Sequence, residues 1–350
     1  MKKFLFVLLA IACIFSCKKK DEVLTIKIPL VTWGGYAALF AANGGAKASE
    51  DSLFYKYGKF KVELVQVEDP SLHLQGFSND TYKIIWSTMD MLPLQYDSLS
   101  KDPRTTPVVI GAFDYSAGGD GIIVRNNIKS AQDMKGKTAV VPQYQPSHYF
   151  FLKYLNTNGI DFKDVKIIYA EDAIKAKDTF INDSSIDICV TWSPFIYDIT
   201  DSTKSTYVAG SSLLETTAPG SALHGAIADV YVARGDLVKD HPEIIAAFTK
   251  AMIEGYELFK TNREKTAHDI ASLFGIPGGA AEVELMFGDV VICGKEENKM
   301  FFDKEYQFSS YNIFNSSAEL YTIDGKLDAG FNVTPEMVIE PKFMMEQINK

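Results

Sequence analysis

Phe113-Asp114-Tyr115-Ser116-Ala117-Gly118-Gly119-Asp120-Gly121 decides how the chain is read. An apolar run, Val108 to Ala112, precedes it, and another, Ile122 to Val124, follows. Three glycines within four residues let the backbone bend, or reach positive φ, where other residues cannot. Two carboxylates sit on the same bend. Strands joined in this way read as a crossing between two lobes, with a ligand cleft beside it. Gly118, Gly119 and Gly121 are the expected hinge.

With 350 residues, 47% of them hydrophobic, and 23 Phe and 17 Tyr, the chain can build two lobes of ordinary size. A formal net charge of −10, with no basic patch or basic aromatic stripe, excludes nucleic acid as a partner. Among 35 basic residues only Arg104, Arg125, Arg234 and Arg263 are arginine. Few guanidinium forks are therefore on hand to clamp a strong oxyanion.

The N-terminus reads as a targeting segment. Met1-Lys2-Lys3 is a charged start, and Phe4 to Phe15 is an apolar run too short to span a membrane as a mature helix. It ends at Ile14-Phe15-Ser16-Cys17, followed at once by Lys18-Lys19-Lys20-Asp21-Glu22. This resembles a bacterial lipobox, with Ile14 where Leu is more usual. It implies a signal peptide over residues 1–16, a lipidated Cys17 and a polar tether over 17–23. Cys189 and Cys293 each lie in an apolar run and read as buried small hydrophobes. The five histidines are scattered without metal-ligand spacing. No metal and no cofactor are expected.

Along the chain, strands alternate with helices. Leu24–Leu30, Phe60–Val67, Tyr82–Trp86 and Val108–Ala112 read as strands, as do Gly121–Val124, Lys137–Val141, Val165–Tyr169 and Ile186–Val190. Ala226–Ala233 is placed as a second crossing strand, and His241-Pro242 opens a long helix over Glu243–Lys260. The pattern implies an α/β fold with mainly parallel sheets in each lobe. The two crossings divide it into a discontinuous first lobe, 24–116 and 227–350, and a second lobe, 117–226.

Four loops share one design, a strand end followed by polar or glycine residues and then a helix. They are Trp33-Gly34-Gly35-Tyr36, Trp86-Ser87-Thr88, Gln145-Pro146-Ser147-His148 and Trp192-Ser193-Pro194, and they carry every tryptophan of the chain. In open α/β sheets such loops lie where ligands bind, and helix N-termini suit anions. Ser and Thr also cap helices without any ligand. Asp114, Asp120 and Asp229 fall at the two crossings, where they hold an ammonium group or merely bond their own turns. His148 either donates to a ligand anion or lies on the surface. No G-x-S-x-G elbow, phosphate loop or G-x-G-x-x-G opening a βαβ unit is present.

Several stretches look familiar. Lys135-Gly136-Lys137-Thr138-Ala139-Val140-Val141-Pro142, with Ser147-His148-Tyr149 opening a helix, resembles the solute-binding proteins for nitrate, taurine and aliphatic sulfonates, the NMT1/THI5-like family. Thr191-Trp192-Ser193-Pro194, the strand Ala228–Ala233 and His241-Pro242-Glu243 resemble the same family, from about Leu24 to about Gly275. The resemblance implies a two-lobe type II periplasmic binding fold, closure on a ligand, delivery to an ABC importer permease, and no catalysis. It places Trp33, Gly34, Tyr36, Ser87, Thr88, Asp114, Ser147, His148, Trp192 and Asp229 around the cleft, to which Asp120 is added from its place at the crossing. The protein would be a monomer facing the periplasm, held to a membrane only through Cys17. Its expected solute is small and polar, zwitterionic or anionic, and sulfonate- or taurine-like. The aspartates at the crossings depart from that pattern and leave a cationic aromatic solute, such as a thiamine-pyrimidine precursor, as the alternative. An enzyme on the same scaffold, of pyrimidine or menaquinone biosynthesis type, is the alternative of another class.

Overall fold

The computed structural model describes residues 23–125 and 127–350. The leader, Cys17 and the tether up to Glu22 lie outside the described residues. Eleven strands follow in order: β1 Thr25–Leu30, β2 Lys61–Gln66, β3 Ile84–Thr88, β4 Pro107–Ser116, β5 Asp120–Arg125, β6 Thr138–Pro142, β7 Lys166–Ala170, β8 Ile188–Trp192, β9 Ser211–Thr216, β10 Ala228–Arg234 and β11 Val290–Ile292. One sheet has the order β11-β4-β10-β3, and the parallel pair β1-β2 packs beside β3. The other sheet has the order β7-β6-β8-β5-β9.

Strand direction is mixed rather than mainly parallel. β6 runs parallel to β7 and β8, but β5 runs against both β8 and β9. In the first sheet β10 runs against both β3 and β4, and β11 runs against β4. The cause is the double crossing. β4 carries the chain out of the first sheet and β10 brings it back, so the two lie side by side in opposite senses.

β4 is longer than the apolar run alone suggests. It continues through Phe113 to Ser116, so Asp114 lies in a strand and not on the bend. The bend itself is Ala117–Gly119, and of the three hinge glycines only Gly118 has positive φ, at 136°. Gly119 is small for another reason: a Cβ there would collide with the Trp33 ring. Gly121 is an ordinary residue of β5 that packs against Leu213.

The long helix Pro242–Thr261 buries Ile244, Ile245, Phe248, Ala251, Met252 and Phe259 on one face and packs on the helix Ala37–Asn43. Gly255 permits that approach, since a Cβ would run into the Ala38 carbonyl. The helix Ser310–Ile323 touches both the helix Leu92–Leu99 and the helix Pro146–Thr157. Cys189 and Cys293 are buried, as their apolar surroundings imply, and they are free thiols. No described helix is long and apolar enough to cross a membrane.

Candidate ligand cleft

Strand register assembles the site. Asp229 of β10 stands opposite Asp114 of β4 on one side and Thr88 of β3 on the other. In the second sheet Asp120 of β5 stands opposite Trp192 of β8. The two groups face each other across a small cavity of about 10 Å³, room for roughly one water-sized body. Trp33, Trp86, Trp192, Asp120, Asp229, Val31, Pro146 and Ile227 line it. Residues more than 190 positions apart in sequence thus meet in one pocket.

The tryptophans do two things here. Their rings wall the cavity, and their N–H groups bond across it. Trp33 Nε1 donates to both Asp114 carboxylate oxygens, at 3.2 and 3.3 Å, and Trp86 Nε1 donates to Asp229. Trp192 Nε1 donates to the Thr32 carbonyl at 3.2 Å, a bond from the second lobe to the first. Tyr197 to Asp289, and Lys204 to Glu282 at 2.9 Å, tie the same two bodies. The cleft is closed.

The electrostatics are one-sided. Asp114, Asp120 and Asp229 are all buried. Burial is the largest influence on each and pushes each pKa up, Asp120 to about 8. Asp114 and Asp229 are neighbours whose like charges oppose joint ionisation, and Asp229 is pushed up further. Asp120 feels Asp229, Asp90 and Asp289. Its backbone N–H donates to Ser116 Oγ at 3.0 Å, but its Oδ1 has no partner. Among the described residues no lysine or arginine lines the cavity, and none figures among the charges acting on these three carboxyls. Arg104, Arg125, Arg234 and Arg263 are engaged elsewhere, with Asp102, the Phe180 and Ile186 carbonyls, Asp236 and Glu284.

The other expected residues are placed as follows. Thr88 and Ser147 are buried near the strand ends with unpartnered hydroxyls. Ser87 turns to Gln95, to whose Oε1 its hydroxyl donates at 3.0 Å. Tyr36 is fully buried against Phe113, its hydroxyl without a partner and its pKa raised by burial and by Asp229 and Asp114. Gly34 makes room for Met286. His148 is not at the surface and does not line the cavity. It is fully buried, with Nε2 3.3 Å from both Asp324 and the Tyr169 hydroxyl, and burial lowers its pKa.

Two residues escaped the sequence reading. Trp86 was seen only as part of a loop, although its place as the third tryptophan at a strand end was the available signal. Gly35 lies against both Asp114 and the Trp33 indole, where any Cβ would collide with each. Nothing in the sequence distinguishes it from Gly34.

With this geometry in hand, the comparisons are direct. Residues 108–266 match the model of the NMT1/THI5-like family. The taurine-binding periplasmic protein of Escherichia coli K12 is 27% identical over 168 residues, 46% of this chain and 49% of that protein. The chain therefore spans about half the length of the curated relative it matches. The alkanesulfonate-binding protein of Xanthomonas axonopodis pv. citri, solved with MOPS bound, superposes with a TM-score of 0.66 at 14% identity, covering 91% of this chain and 99% of its own. A desulfurization enzyme superposes with a TM-score of 0.59 at 13% identity, covering 93% and 99%. At such identities the solved structures carry the fold alone, and the fold is that of the periplasmic binding proteins.

Proposed function

We propose that the protein is a solute-binding component of an ABC importer, capturing a small solute with a protonated nitrogen head between its lobes. One observation carries this reading: Asp120 and Asp229 line a cavity walled by three tryptophans, Asp114 stands beside it opposite Asp229, and no cation opposes them among the described residues. A buried carboxylate without a partner is costly, and an ammonium or amidinium group removes that cost. Indole faces add cation–π attraction. The indole N–H bonds leave acceptor capacity free, since each carboxylate has about four lone-pair sites. Among the described residues the acidic side chains are not arranged to hold a metal ion, so the fitting cation is organic.

The remaining features go with this reading. The crossings at 116–120 and 226–230 divide the chain into 24–116 with 227–350, and 117–226. Cys17 is the lipid anchor on the periplasmic face, the protein works as a monomer, and the permease is its partner.

A taurine-like zwitterion is the second reading. The unpartnered Ser147 hydroxyl at the start of the helix Pro146–Thr157 favours it, since an anion there would gain helix N–H groups. Thermal melts and titration calorimetry with alkylamines, alkylsulfonates and taurine separate the two. Binding only the native state raises the melting temperature. Amines without any anionic group should stabilise the protein and sulfonates should not. Stabilisation by taurine alone would select the second reading, and by sulfonates alone would refute both.

A further inference from the structure

Asp90 belongs to no part of the cleft described so far. It sits in the single turn Met89–Met91, directly after β3. It is fully buried, and neither of its carboxylate oxygens closes a hydrogen bond. Burial pushes its pKa up to about 7, with the Thr88 hydroxyl and the residue's own backbone N–H opposing. A carboxyl in this state is a poor choice for a purely structural position, because an apolar side chain of similar size would pack without desolvation cost.

The surroundings supply no cation. The turn packs against β10, against the helix Pro146–Thr157 of the second lobe, and against the helix Ser310–Ile323. β10 brings Asp229, on which the Asp90 charge bears, as it does on Asp120. The helix Pro146–Thr157 brings Ser147, its hydroxyl unpartnered, and Tyr149, whose hydroxyl is engaged by Ser316 at 3.2 Å. The helix Ser310–Ile323 brings Tyr321, buried with an unpartnered hydroxyl. The basic groups of the helix Pro146–Thr157 are committed: Lys153 Nζ donates to Ser316 at 2.7 Å, and His148 is held by Asp324. Thr88, two residues before Asp90, keeps a buried hydroxyl without a partner and faces Asp229 across the sheet.

Unpartnered groups from both lobes therefore surround one buried carboxyl. We propose that Asp90 is a second cation subsite of the cleft, so that the solute carries two protonated nitrogens, one on Asp114 and Asp229 and the other on Asp90. This rests on the cation reading of the cleft. An ammonium group has three donors. At Asp90 it meets a carboxylate and the Thr88 and Tyr321 hydroxyls, all of them buried acceptors that lack partners in the closed protein. Asp229 stands opposite Thr88, about 5 Å away across the strand pair, and Asp90 lies two residues further, about 4–5 Å on into the single turn, a backbone separation of roughly 6–7 Å. A short aliphatic diamine spans that distance. The turn also lies against the second lobe, so opening the cleft exposes it to an entering solute.

The test uses 1,4-diaminobutane, 1-aminobutane and taurine with the wild type and with Asp90→Asn, Asp114→Asn and their double variant, by calorimetry at pH 7.5. Losing a charge-assisted hydrogen bond at one end weakens binding by about 10- to 100-fold. The diamine should bind the wild type more tightly than the monoamine by at least that factor. Asp90→Asn should abolish the difference and leave the monoamine within about twofold, and its ligand-free melting temperature should not fall, since a buried charge has been removed. Equal binding of diamine and monoamine, an unchanged diamine affinity in Asp90→Asn, or a large drop in its melting temperature would each overturn the proposal. If both amines bind and both weaken in Asp114→Asn under those outcomes, the cation reading survives alone. If no amine binds, or taurine alone binds, that reading falls and the proposal with it.

Discussion

Replacing Asp120 by Asn should flatten an unusual pH dependence. The Asp120 carboxyl is buried with Oδ1 unpartnered, and its pKa stands at about 8 against an ordinary value near 3.8. The sign follows from linkage. Below pH ~4 the carboxyl is protonated in both folded and unfolded chains and its contribution is fully present. Between pH ~4 and ~8 the unfolded chain ionises freely while the native one does not, so stability is lost as pH rises. Each pH unit inside that window costs about 1.4 kcal/mol, hence about 2.7 kcal/mol between pH 5.5 and 7.5. Asp90, with a pKa at about 7, adds a slope of the same sign. Urea unfolding of the ligand-free protein at pH 5.5, 6.5 and 7.5 should give falling stability in the wild type and a shallower fall in Asp120→Asn. Affinity for an organic cation must move the other way. A bound cation needs ionised carboxylates, so binding strengthens by about tenfold per pH unit for each proton released. Calorimetry in two buffers of different ionisation enthalpy counts those protons. Stability that rises over this range with equal slope in the variant, or amine affinity that is flat in pH, would refute the argument.

Two further substitutions probe the same geometry. Asp114→Ala should weaken amine binding by about 10- to 150-fold, the range for a lost charge-assisted bond. It should leave stability within about 1 kcal/mol, because losing the Trp33 bonds is offset by relief of the like charge on Asp229; unfolding and calorimetry read the two effects separately. Gly119→Ala should displace the Trp33 ring, which occupies the space a Cβ would need, and thereby free the Asp114 carboxylate. The expected readout is a shift in tryptophan emission with weakened ligand binding, whereas Ala at Gly44, where no atom crowds the Cβ, should lower stability through its positive φ without moving the emission.

The fold was legible wherever a local signal was strong. The strand–helix alternation, the long helix after His241-Pro242 and the crossing at Ala228–Arg234 all stand where periodicity placed them. The direction of the strands was not legible, because pairing is a long-range choice. β10 bonds to β4 and β3, more than 100 residues away, and no feature of its own sequence names them. β9 and β11 were invisible for a different reason. β9 is half exposed and polar at both ends, and β11 is three residues long, so neither carries an apolar run of strand length.

The site shows the same division between local and long-range information. Asp114, Asp229, Asp120 and Trp192 are marked as candidates in the sequence because each breaks a local pattern, a charge or a large ring at the end of an apolar strand. Asp90 breaks the pattern too, standing in Met89-Asp90-Met91-Leu92. An Asp in a first helical turn has a ready explanation, favourable interaction with the helix dipole. Burial removes that explanation. An exposed first-turn Asp pairs its carboxylate with free N–H groups and water, yet here both oxygens lack any such partner. Five carboxyls, Asp90, Asp114, Asp120, Asp229 and Asp289, therefore influence one another in a closed interlobe space. Asp114, Asp229 and Asp289 accept hydrogen bonds from Trp33, Trp86 and Tyr197, all of them neutral donors. Neutral donors satisfy geometry without cancelling charge, so the closed protein holds an acidic deficit that its own residues do not fill. A cationic solute fills it directly. An anionic one would have to enter after these carboxyls had been protonated, and its affinity would then fall as pH rises.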